Sequence, residues 1–336
     1  MAIEIKEKIF DEMSEYYRSH MQHLKKINKT IYWLDLFLTA LFAWTLFVLA
    51  CQTKNMFLSI VFLGMSSIFF YRGLSFVHEV THHAPHIKGY RVAWNLLFGM
   101  AFLYPSYVYE NHLLHHRMDH YGSSKDAEYF IINKKLSGLF RFLFWGQFVM
   151  PAKLIIRSLI FPLVFISEKF SNFYEMHLCG FYLNPEYEKK PLSKRIKKNL
   201  YKEDLRCTLF AYMILGLIFA HQLPAYIILY WYSAAFILSF INSIRVVVCT
   251  HNYNYLSPRD RAEQIIDTFT LDKGLILPGL IAPIGLRYHA LHHLFPGIPY
   301  HSLGKAHRMV CEAFPNNTAY KDTFTSIPQQ LRKYTN

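Results

Sequence analysis

The chain of 336 residues is apolar and basic: 53% of its residues are hydrophobic, 17% are aromatic, its mean hydropathy is positive and its net charge is +13. This composition exceeds that of soluble domains and predicts an integral membrane protein. The positive charges concentrate beside the predicted membrane helices, where they face anionic lipid head groups, so nucleic-acid binding is not expected. The five cysteines form no Cys-x-x-Cys pair, which argues against a zinc ribbon or a disulfide framework.

Four apolar segments are predicted to span a membrane as helices. The first two hold a single charged residue each, Asp35 and Arg72. A later apolar run is about twice as long as one span, and the turn sequence His221-Gln222-Leu223-Pro224 divides it. The predicted spans are residues 31–51, 57–77, 207–221 and 224–248.

The charges in the loops orient these spans. Residues 1–30 carry six Lys or Arg and residues 189–206 carry eight, whereas the turn between the first two spans has only Lys54. Because positively charged loops stay in the cytosol, we expect both termini and every histidine cluster on the cytosolic side. The amino-terminal segment lacks the apolar core and cleavage site of a secretory signal, so the first span is predicted to be an anchor.

Two further apolar segments are not counted as spans. Residues 92–109 separate the first two histidine clusters, so we predict that they are re-entrant or interfacial. Residues 138–166 are interrupted by three basic residues and two prolines, which suits helices in the head-group region. The alternative is that both segments cross the membrane as an extra pair of spans, which leaves the clusters on one side.

We therefore predict an all-α integral membrane protein with four transmembrane helices, interfacial helices and a cytosolic helical cap that carries a metal site. Its divisions are a cytosolic amino-terminal segment over residues 1–30, a single membrane domain over 31–310, and a cytosolic tail over 311–336.

Three histidine clusters share nearly one spacing. On a helix, side chains three and four residues apart project from the same face, so each cluster presents two or three imidazoles in one direction. Nine clustered histidines are too many for one tetrahedral ion and suit two metals of higher coordination. The clusters, which hold nine of the eighteen histidines, are His78-Glu79-Val80-Thr81-His82-His83, His112-Leu113-Leu114-His115-His116 and His289-Ala290-Leu291-His292-His293.

This pattern resembles the membrane fatty acid desaturase superfamily, and the resemblance covers roughly residues 30–310. Its most specific part is the third box with the residues that follow it, Leu286-Arg287-Tyr288-His289-Ala290-Leu291-His292-His293-Leu294-Phe295-Pro296. Members of this superfamily hold a di-iron centre with these histidines, take electrons from a small carrier protein, and activate oxygen to attack an unactivated C–H bond.

The resemblance implies which residues bind metal. We expect His83 to bind as well, although it could lie beside the ligands, and His251 occupies the place of an additional family histidine, although it could be a hydrogen-bonded helix cap. Asn252 could hold a metal-bound water, and Asp119, Asp126 or Glu110 could orient imidazoles unless they are ordinary surface groups. The full set of expected ligands is His78, His82, His83, His112, His115, His116, His251, His289, His292 and His293.

The expected cofactors are two non-haem iron ions, because neutral imidazoles suit iron and a redox-active pair can share the electrons that cleave oxygen. The resemblance implies a long acyl lipid as substrate, molecular oxygen, and a separate ferredoxin, rubredoxin or cytochrome as electron donor. We expect a fatty acyl desaturase that introduces a double bond. One alternative is a hydroxylase or ketolase of a fatty acid, alkane or carotenoid, which the histidine boxes do not distinguish from a desaturase. The other is a non-enzymatic metal-binding or transport protein.

Overall fold

The computed structural model describes residues 2–129, 136–180, 182–184, 186–189, 194–251, 260–274 and 276–333. Its α-helices are Ala2–His20 (α1), Lys29–Gln52 (α2), Met56–Ser75 (α3), Val77–His83 (α4), Tyr90–Trp94 (α5), His112–His115 (α6), Leu136–Phe140 (α7), Gln147–Ile160 (α8), Glu168–His177 (α9), Lys194–Phe219 (α10), Ile227–Cys249 (α11), Arg261–Ile266 (α12), Ile276–Ile281 (α13), His289–Leu294 (α14), Tyr300–Ala313 (α15), Thr318–Lys321 (α16) and Ile327–Arg332 (α17).

Shorter elements join these helices. Two-residue strands, Thr270–Leu271 (β1) and Phe324–Thr325 (β2), pair in parallel. The 3₁₀ turns are Gln22–Lys25, Ala84–His86, Ser106–Tyr109, Phe161–Phe165 and Leu286–Tyr288, and the π-helical turns are Asn95–Gly99 and Arg141–Gly146.

Four helical segments in the described part of the chain are long and apolar enough to cross a membrane: Lys29–Gln52, Met56–His86, Ser137–Phe165 and Ile227–Cys249. The prediction of an all-α integral membrane protein is thereby confirmed. Three of these segments coincide with predicted spans, and the fourth is the segment predicted to lie on the membrane. The predicted span at 207–221 falls in α10, whose first half is charged, so only its second half is apolar.

The first two long helices, α2 and α3, form a hairpin. The side chains between the two helices include small and polar ones, and those on the outer faces are large and apolar. The Asn28 side chain caps the start of α2, and the Asn55 side chain caps the start of α3. Between them, the Ser66 hydroxyl donates to the carbonyl of Ala43 at 2.8 Å. Their outer faces expose large apolar side chains, such as Phe37 at 51%. Small residues inside and large apolar residues outside are the arrangement that lipid favours.

The two turns between the long helices lie at the same end of the bundle. The Tyr226 hydroxyl, in the turn before α11, donates to the carbonyl of Cys51 at the end of α2, over 3.1 Å. All the histidine clusters lie at the opposite end, because α4 continues α3 there and His251 follows the end of α11. This arrangement is the one that the predicted order of spans requires.

Residues 90–109 enter the bundle from the histidine end and return to it. Three indole N–H groups hold their irregular backbone in place: Trp94 donates to the Gly73 carbonyl at 2.8 Å, Trp44 to that of Leu97 at 3.1 Å, and Trp231 to that of Ala101 at 2.7 Å. At the return, the Tyr107 N–H donates to Glu203. Buried backbone carbonyls without a regular helix need such donors, so the course is that of a re-entrant segment.

The segment 137–165 has both of its ends near the histidine end of the bundle. Leu139 packs against the last turns of α11, and Arg157 near the other end forms a buried ion pair with Asp204. Its middle reaches toward the opposite end, where the Tyr232 hydroxyl donates to the Phe148 carbonyl at 2.5 Å. The length of this segment fits a membrane span, whereas its ends fit the predicted interfacial placement, which stays a prediction.

A cap covers the histidine end and includes both termini of the described chain. Met13 and Met21, from the amino-terminal segment, are fully buried against α14 and α15. Tyr320, beyond residue 310, belongs to the same core, and Lys6 pairs with Asp322 at 3.2 Å. Residues 1–30 and 311–336, predicted to be separate segments, therefore form one packed unit with the third histidine cluster wherever the structure describes them.

Candidate metal centre

The first two histidine clusters lie on short helices that adjoin the membrane bundle. The first, on α4, continues α3 after a single residue, Phe76, so its imidazoles project just beyond the apolar span. The second, on α6, follows the re-entrant segment after Glu110 and Asn111.

The third cluster depends on a glycine. Gly285 has a φ of 70° and starts the 3₁₀ turn that leads into α14. A Cβ atom there would meet Leu303 Cδ1 at 2.7 Å, so both the backbone angle and the space favour glycine. This turn orients α14 so that its histidines face those of the first two clusters.

Five histidines from all three clusters form one group, in which one ring nitrogen of each lies within 4.8 Å of the others. The shortest separations join Nε2 atoms: His78 to His292 at 3.0 Å, and His116 to both His112 and His292 at 3.1 Å. The His82 Nε2 is buried and has no hydrogen-bond partner among the described residues. This first group is His78, His82, His112, His116 and His292.

Four buried histidines form a second group of the same kind. The Nε2 of His251 lies 3.1 Å from that of His115 and 3.3 Å from that of His289, whose Nε2 in turn lies 3.2 Å from that of His293. His251 follows α11, so the structure brings this isolated histidine together with two clusters. The second group is His115, His251, His289 and His293.

The second and third clusters each contribute to both groups. In the second cluster, His112 and His116, four residues apart, join the first group, while His115 joins the second. In the third cluster the assignment is reversed: the pair His289 and His293 joins the second group and the histidine between them the first. Side chains four residues apart share a helix face, and the intermediate one points elsewhere, so each short helix can face two sites.

Carboxylates and a tyrosine bind the outward nitrogens of several histidines. The Nδ1 of His112 lies 2.9 Å from Glu128, that of His115 lies 2.7 Å from Asp126, and that of His78 lies 3.2 Å from Glu79. A carboxylate accepts from Nδ1–H, so the proton is held on the outside and the Nε2 lone pair points inward.

His251 is oriented through a hydroxyl. The Tyr121 hydroxyl donates to Asp267 at 2.9 Å, so at 2.7 Å from His251 Nδ1 it is left to accept from that nitrogen. Tyr129 donates to the same carboxylate at 2.8 Å. The Nε2 of His251 therefore faces inward unprotonated, as in the histidines held by carboxylates.

Burial favours the neutral form of most histidines of the two groups that follow residue 86. Burial, and then the neighbouring imidazoles, hold the pKa of six of them well below the ordinary value. At His115, burial lowers the pKa, but the nearby carboxylates, Asp126 above all, have the larger combined effect. The pKa of this imidazole is therefore raised. Burial raises the pKa of Glu128 to about 7. The six with a lowered pKa are His112, His116, His251, His289, His292 and His293.

The donor set fits two metal ions. Inward lone pairs about 3 Å apart repel one another unless a cation lies between them, and ligands about 2.1 Å from an octahedral ion are about 3.0 Å apart. The separations of 3.0–3.3 Å within the two groups match this spacing. Neutral imidazole suits iron, copper, nickel and zinc, so the donors are compatible with iron without identifying it.

The structure places several of the expected residues outside the two groups. His83 joins neither group, and its Nε2 faces the Glu79 carboxylate at 3.8 Å. Asp119 does not orient a histidine of either group, since it is exposed and pairs with Arg117 at 2.9 Å. Glu110 pairs with Arg91 at 2.6 Å. Asn252 lies outside the described residues.

Sequence reasoning missed the contacts of Glu79, Glu128, Tyr121 and Asp267. Glu79 carried a signal, since it lies beside His78 inside the first cluster. Glu128 lies 16 residues from His112 in the sequence, and Tyr121 lies 130 residues from His251, so no local pattern indicates either contact.

Two adjoining cavities lead to the histidines. The larger has a volume of about 330 Å³ and touches His78. The smaller, of about 30 Å³, touches His112, His115, His251 and His289. Tyr109, Glu128, Leu183, Arg245 and Val246 line both cavities, so these residues mark the boundary between them.

Comparison with known proteins agrees with this geometry. The family model described as "Fatty acid desaturase" matches residues 53–324. The chain is 33% identical over 300 residues to a protein named "Ceramide hydroxylase" from Caulobacter vibrioides (strain NA1000 / CB15N), a match that covers 87% of this chain and 84% of that protein. No solved structure matches. The chain, an integral membrane protein with two histidine groups suited to metal, belongs to the fatty acid desaturase family.

Proposed function

We propose that this protein is an oxygen-dependent hydroxylase of a long-chain lipid of the ceramide type. The observation that carries the proposal is the relative named "Ceramide hydroxylase", which the chain matches over most of its length. Membership of the family supports a lipid-modifying oxidoreductase but does not distinguish hydroxylation from desaturation, and the histidine boxes do not separate these two reactions either. Both reactions begin by attack on a C–H bond, and the placement of the substrate decides the outcome.

The two histidine groups are the proposed di-iron site. Iron bound there would supply the redox chemistry that activates oxygen. One oxygen atom of O₂ enters the C–H bond, and the other leaves as water with two electrons and two protons. The carboxylates and Tyr121 hold the Nδ1 protons in place, so every Nε2 that they control stays available as a ligand.

The larger cavity is the proposed substrate site. Its lining includes the apolar residues Phe102, Met150, Leu154 and Leu238, which suit an alkyl chain. The buried walls also keep bulk water from the reacting carbon. A lipid entering from the membrane therefore meets an apolar surface before it reaches the histidines.

The proposal also covers the orientation of the protein in the membrane and the source of its electrons. The abundance of Lys and Arg in residues 1–30 and 189–206 supports a cytosolic site with both termini on that side. The electrons come from a separate carrier of the ferredoxin, rubredoxin or cytochrome type, which the basic charge of this face attracts if the carrier is acidic.

Mass spectrometry of lipids from cells that make ceramide and express the protein tests the function. The expected product is heavier than its precursor by one oxygen atom and disappears in the His292→Ala variant. A product lighter by two hydrogen atoms would identify a desaturase instead. An unchanged lipid profile, with iron-loaded protein in the membrane and a reduced carrier supplied, would contradict the proposal.

A further inference from the structure

Arg245 is a charged residue in a membrane helix, and the described part of the chain places no carboxylate in ion-pair contact with it. It lies near the end of α11, and no carboxylate oxygen of the described residues is within ion-pair distance of it. Its Nε donates to the Asn242 side chain at 3.1 Å. By contrast, Arg72 pairs with Asp35 at 2.7 Å, and Arg157 pairs with Asp204. A cation of a membrane helix that borders a cavity and has only neutral hydrogen-bond partners, here Asn242 and Tyr71, is a candidate ligand site.

The cavities place this guanidinium beside the histidines. Arg245 lines the larger cavity, and it also lines the 30 Å³ cavity together with histidines of both groups. A space of that size holds little more than one water molecule. An atom that binds Arg245 from the cavity is therefore only a few bond lengths from the metal-binding nitrogens.

Other polar groups of the larger cavity gather around the same end. Ser239, Asn242 and Ser243 follow one another on the cavity face of α11. Glu128 lies across from them on the segment after the second cluster. Guanidinium and amide groups donate hydrogen bonds, whereas the carboxylate and amide oxygens accept them, so this end suits a group that has both acceptor and donor atoms.

We propose that Arg245 and Asn242 bind the polar head group of the substrate, an amide carbonyl with neighbouring hydroxyl or N–H groups, beside the histidines, so that the attacked carbon lies within a few bonds of that head group. The inference rests on the proposed function and extends it by naming the position of attack. The alkyl chain then runs away from the histidines along the apolar part of the larger cavity. A substrate attacked in the middle of its chain would need apolar walls where Arg245 lies.

The test compares Arg245→Met, Asn242→Leu and a control, Arg141→Met, in cells that make ceramide. Arg141 is an exposed arginine of a membrane-competent segment and does not line the cavity. Fragmentation of the product locates the new hydroxyl. We expect it within a few carbons of the amide, with roughly 10- to 100-fold less product from Arg245→Met because a hydrogen bond to a charged group is lost. Asn242→Leu should reduce product less, and the control not at all.

Iron content, measured on each purified variant, separates recognition from folding. We expect both cavity variants to keep the wild-type amount of iron. A hydroxyl in the middle of the chain would overturn the inference while leaving the hydroxylase function intact, as would full activity in both cavity variants. A double bond in the product would overturn the function itself. Supplying free fatty acid to cells without ceramide tests whether the bound head group is a carboxylate instead of an amide. Hydroxylation of the acid in these cells, with no hydroxylation of ceramide in the cells that make it, would overturn the amide assignment.

Discussion

The contact between Asp126 and His115 predicts a loss of iron from one half of the site. Asp126 uses both oxygens as acceptors: Oδ2 accepts from His115 Nδ1 at 2.7 Å and from the Gly122 N–H at 3.0 Å, and Oδ1 accepts from the Glu128 N–H at 3.0 Å. In Asp126→Asn one of these positions becomes an NH₂ group, which must face an N–H donor. A buried donor left without an acceptor costs about 1–3 kcal/mol.

This cost falls on the folded protein with or without iron, because the NH₂ group meets a backbone N–H in either orientation of the amide. Iron binding is weakened separately, because a neutral amide replaces the carboxylate that accepts from His115 Nδ1–H and makes Nε2 a stronger ligand. Loss of such a carboxylate corresponds to iron bound about 10- to 100-fold more weakly. Since His115 belongs to the second group, we expect one iron per chain to leave before the other.

The assay is a titration of the detergent-purified protein with a competing chelator, followed by measurement of the retained iron. Asp126→Asn should lose one iron at a chelator concentration at which the wild type keeps two. Asp119→Asn is the matched control, because Asp119 is exposed and contacts Arg117 and His120, which belong to neither group. Equal retention by the two variants, with both shown to be folded by their melting temperatures, would refute the reasoning.

Three further results are expected. His292→Ala should abolish turnover and lower the iron content while leaving the protein in the membrane, and normal turnover would remove the third cluster from the reaction. In the metal-free protein, the six histidines of lowered pKa stay neutral when folded but take up protons when unfolded. Stability, followed by melting temperature, should therefore be full above about pH 6.5 and fall as the pH decreases, whereas a flat profile would contradict the burial. Gly285→Ala should lower stability by about 1–3 kcal/mol through strain and overlap with Leu303, and the unobstructed Gly279→Ala should not.

The sequence was sufficient to predict most members of the two histidine groups, because the spacing of histidines on a helix is a local property. Nine of the ten expected histidines meet in the two groups, and His83 alone does not. Helical periodicity accounts for the pairs four residues apart that join the same group, and His83, four residues after Glu79, points to that carboxylate instead. Most of the membrane helices were also predictable from the sequence, because length and apolar composition are sufficient to identify them.

What the sequence left open depends on how distant segments pack. Asp119 and Asp126 are both close to the second cluster in sequence, and only the loop between them decides which carboxylate reaches His115. The contact of Tyr121 with His251 joins elements 130 residues apart. The division of each cluster between two groups also depends on the angle at which the short helices meet, and spacing does not determine that angle.

The sharing of clusters between groups has a consequence for biosynthesis. His78 and His292 belong to one group although 214 residues separate them, and three members of the other group lie at or beyond residue 251. A nascent chain that ends before the third cluster has an incomplete first group and, of the second, at most His115 and His251. Metal binding is therefore expected to follow completion of the polypeptide and insertion of its helices, and a truncated product would have neither histidine group complete.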